Sequence, residues 1–181
     1  MRAVLLSGGI DSAVCLAMAV RSHGAENVTA VHVHYSQPHS AESWHAARLA
    51  KRYHVPLATV HASPWGQLPE PTASNDPMVI PGRNALLIAL AAALVPTAVE
   101  IQLGCNADDQ RDYPDCRPEF LGAMSAATGV AVTAPLSHLS KAEVCQQLSC
   151  YGIDLSETLS CYRGTGCGEC AACSLREAAL L

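Results

Sequence analysis

Long apolar runs are missing from this chain. No stretch reaches the ~18 consecutive apolar residues that a membrane span requires. The Ala/Leu-rich segment from Ala85 to Val95 falls short of that length and reads as a buried helix. Basic charge is scarce as well: 11 Lys and Arg stand against 16 Asp and Glu, for a net charge of −5, with no basic run. A protein that tracks a nucleic-acid backbone is normally basic, so no direct nucleic-acid contact is expected and a small neutral or anionic substrate is favoured. No leader segment is expected either, because Gly8 and Gly9 interrupt the first apolar run within a few residues. Without a secretion signal, the nine cysteines read as thiols and metal ligands rather than disulfides, and the cytoplasm is the expected location. Two phosphate-binding signatures are also absent. No glycine-rich loop ends in Lys-Ser/Thr, and the Gly-x-Gly-x-x-Gly spacing does not occur.

What is present is an ordinary globular composition, 50% hydrophobic and 15% charged over 181 residues, enough for one domain with a real core. Strands are predicted at Val4–Leu6, Val28–Tyr35, Leu57–His61, Glu100–Gly104 and Val130–Ala134. Helices are predicted at Asp11–Ser22, Ala41–Tyr53, Asn84–Val95, Pro118–Thr128 and Ser140–Tyr151. The last of these opens on a capping box, Ser140 with Glu143. A loop rich in Pro, Ser and Asp spans Ala62–Pro81, and Cys105–Arg117 reads as polar and turn-rich. Strands alternating with helices imply an α/β fold, a parallel sheet with helices on both faces. Ligands of such sheets bind beyond the carboxyl ends of the strands. The unusual segments fall there: Ser7–Ser12, Tyr35–His39, the loop before Arg83, and Cys105–Arg117. His32 and His34 alternate on a strand, and nothing in the sequence requires either to be catalytic.

Ser7-Gly8-Gly9-Ile10-Asp11-Ser12 joins the first strand to the first helix. Two glycines let the backbone approach an anion closely. The helix start offers unpaired N–H groups and a partial positive charge, and the two serines add hydroxyls. The segment reads as a phosphate cradle in which Asp11 holds Mg²⁺ or orients the turn. The plain alternative is a tight turn with Asp11 as helix N-cap.

Cys161, Cys167, Cys170 and Cys173 are spaced x5, x2 and x2, with glycines at 164, 166 and 168 for the turns. Four thiolates suit a structural Zn²⁺ with no open position. They also suit an iron–sulfur cluster, and buried free thiols are the remaining reading. The expected division is a nucleotide-binding α/β domain over 1–160 and a metal-binding segment, 161–181, packed upon it.

The six-residue turn resembles the pyrophosphate (PP-) loop of the ATP pyrophosphatases, which cleave ATP between its α and β phosphates. Further segments narrow the resemblance: Pro81-Gly82-Arg83-Asn84, Gly104-Cys-Asn-Ala-Asp-Asp109, Tyr113-Pro-Asp-Cys-Arg117, and Cys167-Gly-Glu-Cys170-Ala-Ala-Cys173-Ser-Leu-Arg176. Over nearly its whole length the chain is similar to the QueC family of queuosine biosynthesis. The resemblance implies a cytoplasmic, zinc-containing homodimer that uses ATP, Mg²⁺ and ammonia. Such an enzyme converts 7-carboxy-7-deazaguanine, through the amide, to the nitrile. Ser7, Gly8, Gly9, Asp11 and Ser12 would hold pyrophosphate. Lys141 would neutralise phosphate charge or stand as a solvated first-turn residue. Arg83 and Asn84 would face nucleotide or substrate, or Arg83 would cap a loop. Asp108, Tyr113, Asp115, Arg117 and His39 are the expected substrate residues. The chain departs from the family pattern at Ser36, Gln110, Arg111 and Asp112, and in its trimmed loop between His61 and Pro81. A second expectation follows: a relative that joins the activated acid to another amine, on a protein or nucleotide, and stops at an amide.

Overall fold

The computed structural model describes residues 1–35, 41–62, 64, 79–161 and 166–178. His39 and Ser36, and most of the loop between His61 and Pro81, lie outside the described residues.

Five parallel strands form one sheet in the order β3-β2-β1-β4-β5. They are β1 (Arg2–Leu5), β2 (Val28–His34), β3 (Leu57–His61), β4 (Glu100–Gln102) and β5 (Ala131–Thr133). β1 is central. Val4 pairs with Ala30 of β2 on one side and with Gln102 of β4 on the other. Covered on both faces, β1 and β2 are apolar almost throughout, as buried parallel strands must be: Ala3, Val4, Val28, Ala30 and Val31 are 0–1% exposed.

The helices are α1 (Ile10–His23), α2 (Ala41–Arg52), α3 (Arg83–Leu94), α4 (Ala107–Asp112), α5 (Pro118–Thr128), α6 (Lys141–Cys150) and α7 (Ala171–Ala178). α1, α2 and α6 share one core with the Val4/Ala30 face of the sheet, through Val14, Leu49 and Val144. α3 and α5 share the other, where Ile88, Ala91 and Leu121 meet Leu5, Val31 and Ile101. Helices therefore cover both faces, as right-handed parallel crossovers require. α6 starts where the capping box places it: Ser140 Oγ accepts from the Glu143 N–H at 3.3 Å, and Glu143 accepts from the Ser140 N–H at 2.7 Å.

Two elements differ from expectation. The segment 105–117 contains α4 and a 3₁₀ turn over Pro114–Cys116 rather than turns alone. α4 exists because Asn106 and Asp109 form their own capping box, with both bonds at 3.0 Å. α7 follows directly on the third cysteine of the C-terminal cluster.

Candidate active site and metal centre

β1 delivers the chain to the turn at Leu6, and Gly8 takes φ +92°, which an L-residue rarely adopts. A Cβ there would also lie 2.6 Å from the Glu42 carbonyl oxygen and 2.9 Å from His45 Cβ. Gly8 is thus required twice, by its backbone angle and by the close approach of α2. Gly9 is the N-cap of α1 and has no side-chain capping bond, so Asp11 is not the cap. Asp11 lies in the first turn of the helix, with its carboxylate free for other partners. Ser12 Oγ accepts from the Gly8 N–H at 3.2 Å and donates to the Gly9 carbonyl at 3.0 Å, while the Ser7 hydroxyl lies 3.1 Å from it. The hydroxyls hold the turn's shape, and the first amides of α1 have no intrahelical acceptors.

Two elements close on this turn. Gly104, just past β4, approaches α1 so closely that a Cβ would lie 2.8 Å from the Asp11 carbonyl carbon and the Ser12 nitrogen. Lys141, the first residue of α6, forms an ion pair with Asp11 Oδ2, and Asn106 Nδ2 donates to Asp11 Oδ1 at 2.9 Å. Burial works against the charge of Lys141, but Asp11 and Asp109 outweigh it and hold the ammonium protonated. Asp108 Oδ2 accepts the Lys141 backbone N–H at 2.8 Å, so this carboxylate is engaged at the start of α6. The positive end of α6, an ammonium and a half-buried carboxylate therefore meet at the glycine turn. Together with the helix-terminal amides, they can bind and neutralise a polyphosphate.

Sequence reasoning missed Asn106 and Asp109 in this cluster. Asp109 is pushed up to about 6, chiefly by burial and further by Asp11 and Asp108, against the pull of the Asn106 N–H and Lys141. The folded protein therefore holds a proton that the unfolded chain has lost between pH ~4 and ~6. The stability from that proton is complete below about pH 4 and lost as pH rises through 6. In denaturant titrations, the wild type is expected to lose stability relative to Asp109→Asn across that window, with a constant difference above about pH 7.

A second group adjoins the first. Arg83 opens α3 and hydrogen-bonds the Tyr35 hydroxyl. Burial opposes its charge, and Tyr35, Asp115, Cys116 and Tyr113 more than compensate. Asn84 Nδ2 donates to the Asp115 carbonyl at 3.1 Å, and its backbone N–H reaches Asp115 Oδ2 at 3.4 Å. The structure thus brings Arg83, Asn84, Tyr113 and Asp115 together. Cys105 links the two groups. Its thiol bonds that of Cys116 and senses both Asp109 and Asp115, and this contact together with burial raises it well above the ordinary thiol range. Arg117 stands apart: its guanidinium donates to the carbonyls of Gln110 at 2.9 Å and Arg111 at 3.3 Å, capping the end of α4. His39 lies outside the described residues.

The sulfur atoms of Cys161, Cys167, Cys170 and Cys173 all lie within 4.8 Å of one another. Two separations are 3.6 Å (Cys161–Cys167) and 4.0 Å (Cys167–Cys173). A tetrahedral ion with metal–sulfur bonds of ~2.3 Å places its sulfurs ~3.8 Å apart. The donor set fits one ion; a polynuclear iron–sulfur cluster would interpose several atoms between the thiolates. The cysteine cluster also reaches the glycine turn. Leu159 packs on the cysteines, and its N–H donates to the Gly8 carbonyl at 2.9 Å. Arg176 of α7 clamps the preceding residues, donating to Leu155 O and, at 3.0 Å, to Thr158 O.

No helix among the described residues is long and apolar enough to cross a membrane. The family described as queuosine biosynthesis protein QueC matches residues 2–181. A 7-cyano-7-deazaguanine synthase of Thiobacillus denitrificans is 37% identical, over 98% of this chain and 92% of the relative. The synthase of Aromatoleum aromaticum is 40% identical, over 97% and 90%. Among solved structures, the NMN synthetase of Francisella tularensis shares the fold with a TM-score of 0.61 and 22% identity, over 86% of this chain and 63% of that one. The glutamine-dependent NAD+ synthetase of Acinetobacter baumannii does so with a TM-score of 0.55 and 22% identity, over 82% of this chain and 28% of that one.

Proposed function

This chain belongs to the QueC family, and on that premise we propose that it is the ATP-dependent ligase that turns 7-carboxy-7-deazaguanine and ammonia into 7-cyano-7-deazaguanine. The observation that carries the reading is the Lys141–Asp11 pair at the first turn of α1, where an ammonium and a carboxylate meet the amino end of a helix.

The carboxylate oxygen of the substrate attacks the α-phosphorus of ATP, and pyrophosphate leaves. Ser7, Gly8, Gly9 and Ser12 cradle the departing pyrophosphate, and Lys141 exchanges Asp11 for a phosphate oxygen as charge develops there. Asp11, so released, would hold Mg²⁺, which supplies further neutralisation of the phosphates. Ammonia then attacks the acyl carbon, loses a proton and expels AMP, leaving the amide. A second adenylation on the amide oxygen, followed by loss of AMP and the nitrogen-bound protons, leaves the nitrile. Positioning is the enzyme's other task. Arg83, Asn84, Tyr113 and Asp115 line the deazaguanine side, with the Asp115 carboxylate accepting from the guanine-like N–H groups. In the same reading His39 completes that side, while Asp108 and Arg117 support it indirectly, by fixing the start of α6 and the end of α4.

The four cysteines hold a structural Zn²⁺, within a 161–181 segment packed on the 1–160 domain. The protein works as a homodimer in the cytoplasm, on small molecules, with no membrane or nucleic-acid partner. Incubation with ATP, ammonium and the acid, read by mass spectrometry, is expected to yield the nitrile with two AMP per product. Amide as the sole end product, or turnover only with a protein amine acceptor, would overturn the nitrile assignment.

A further inference from the structure

Three histidines at the carboxyl ends of β2 and β3 are unused by this chemistry, yet they are wired to the glycine turn. His32 is 2% exposed, and both of its ring nitrogens are engaged. Nδ1 lies 2.7 Å from the Leu6 carbonyl oxygen, and Nε2 lies 2.9 Å from Ser43 Oγ. Ser43 Oγ is also 2.7 Å from His34 Nε2. The His34 ring stacks on that of His61, with centroids 4.5 Å apart and planes 3° from parallel.

These contacts have one direction. A carbonyl only accepts, so His32 Nδ1 carries the proton. In the neutral ring Nε2 then accepts, and the Ser43 hydroxyl donates to it. The Ser43 oxygen in turn accepts from His34 Nε2–H. Burial, with His34 and His61 as the neighbouring titratable groups, keeps His32 below the ordinary imidazole value and so neutral. The chain of donors ends on Leu6, the residue immediately before Ser7. It also passes through the first turn of α2, where the Glu42 carbonyl stands against Gly8. One imidazole thus ties together the exit of β1, the end of β2 and the helix that walls the turn.

We propose that His32 is a positioning residue for the ATP-binding turn, setting through the Leu6 carbonyl and the Ser43 bridge the angle at which β1 presents Ser7–Ser12 to the triphosphate. The inference rests on the reading of that turn as the ATP site. A buried imidazole with two satisfied bonds is a stiff strut, because each bond would leave a buried polar atom orphaned if it opened.

Steady-state kinetics on the full chain test it. His32→Gln loses the donor at the δ position. It is expected to raise KM for ATP about five- to tenfold, with KM for ammonium and for the acid unchanged within twofold. His32→Asn keeps an N–H at the δ position and should recover most of that loss. Ser43→Ala leaves His32 in place and should give the same ATP-specific effect at about threefold, which keeps the test valid if His32→Gln fails to fold. An unchanged KM for ATP in folded variants, equal shifts in all three KM values, or no recovery in His32→Asn would overturn the proposal. A wild type without ATP-dependent turnover would instead strike the proposed function.

Discussion

Lys141→Met is expected to lower kcat/KM for ATP by ~10²–10³-fold, the usual consequence of removing one preorganised charge from a phosphoryl-transfer site. The methionine keeps most of the stem's packing, so the change isolates the ammonium. In the wild type that ammonium is paired with Asp11, with Asp109 close enough to act on it. Removing it leaves Asp11 without its ion-pair partner and takes from Asp109 the positive charge that lowers it, so Asp109 is driven further towards its protonated form. The variant should therefore also unfold at lower denaturant, because a half-buried carboxylate has lost its partner. The double variant Asp11→Asn, Lys141→Met separates the two effects. Stability should return towards wild type, since neither charge is orphaned, while kcat/KM stays at or below that of the single variant. Recovery of activity in the double variant would show that Lys141 serves only to neutralise Asp11.

Stripping the metal, by chelation or by Cys170→Ser, is expected to weaken ATP binding at a site to which the cysteines contribute no ligand. A four-cysteine zinc site contributes ~10–16 kcal/mol of apparent binding energy to local folding. α7 has only eight residues, too few to be stable alone. Once the sulfurs separate, Arg176 loses its hold on Leu155 and Thr158, and Leu159 loses its packing on the cysteines. The bond from Leu159 N–H to the Gly8 carbonyl is then steadied from one side alone, through His45 and Arg52 on Glu157. Losing one hydrogen bond of ~1–1.5 kcal/mol predicts a roughly tenfold rise in Kd for ATP. Calorimetry would measure it, alongside faster hydrogen exchange at the Leu159 amide. Unchanged ATP affinity in a metal-free protein with a rapidly exchanging Leu159 would show that the two centres are independent.

Much of the fold was legible because its signals are local. The glycine pair between an apolar run and a helical pattern marked the turn from β1 into α1, and the three-residue spacing of Ser140 and Glu143 marked the start of α6. The alternation of strands with helices long enough to cross over dictated the parallel sheet. α4 escaped because it is six residues long and polar, with no apolar period. Its start is set by Asn106 and Asp109, a capping pair outside the usual Ser/Thr and Glu/Gln pattern. The same gap hid Asn106 and Asp109 as site residues. The engagement of Arg117 with the end of α4 followed from that helix and could not precede it. The histidine chain was illegible for another reason: His32, Ser43 and His61 meet only once β2, α2 and β3 are assembled, and nothing in their spacing announces the contact.

Pyrophosphate exchange tests the central claim most directly. The glycine turn and Lys141 are held to support reversible attack of the deazaguanine carboxylate on the α-phosphorus of ATP. Labelled pyrophosphate should therefore enter ATP when protein, Mg²⁺, ATP and 7-carboxy-7-deazaguanine are mixed without ammonium, and should not do so when the acid is omitted. Release of orthophosphate with ADP, or no acid-dependent label in ATP from a folded, metal-loaded protein, would contradict the account.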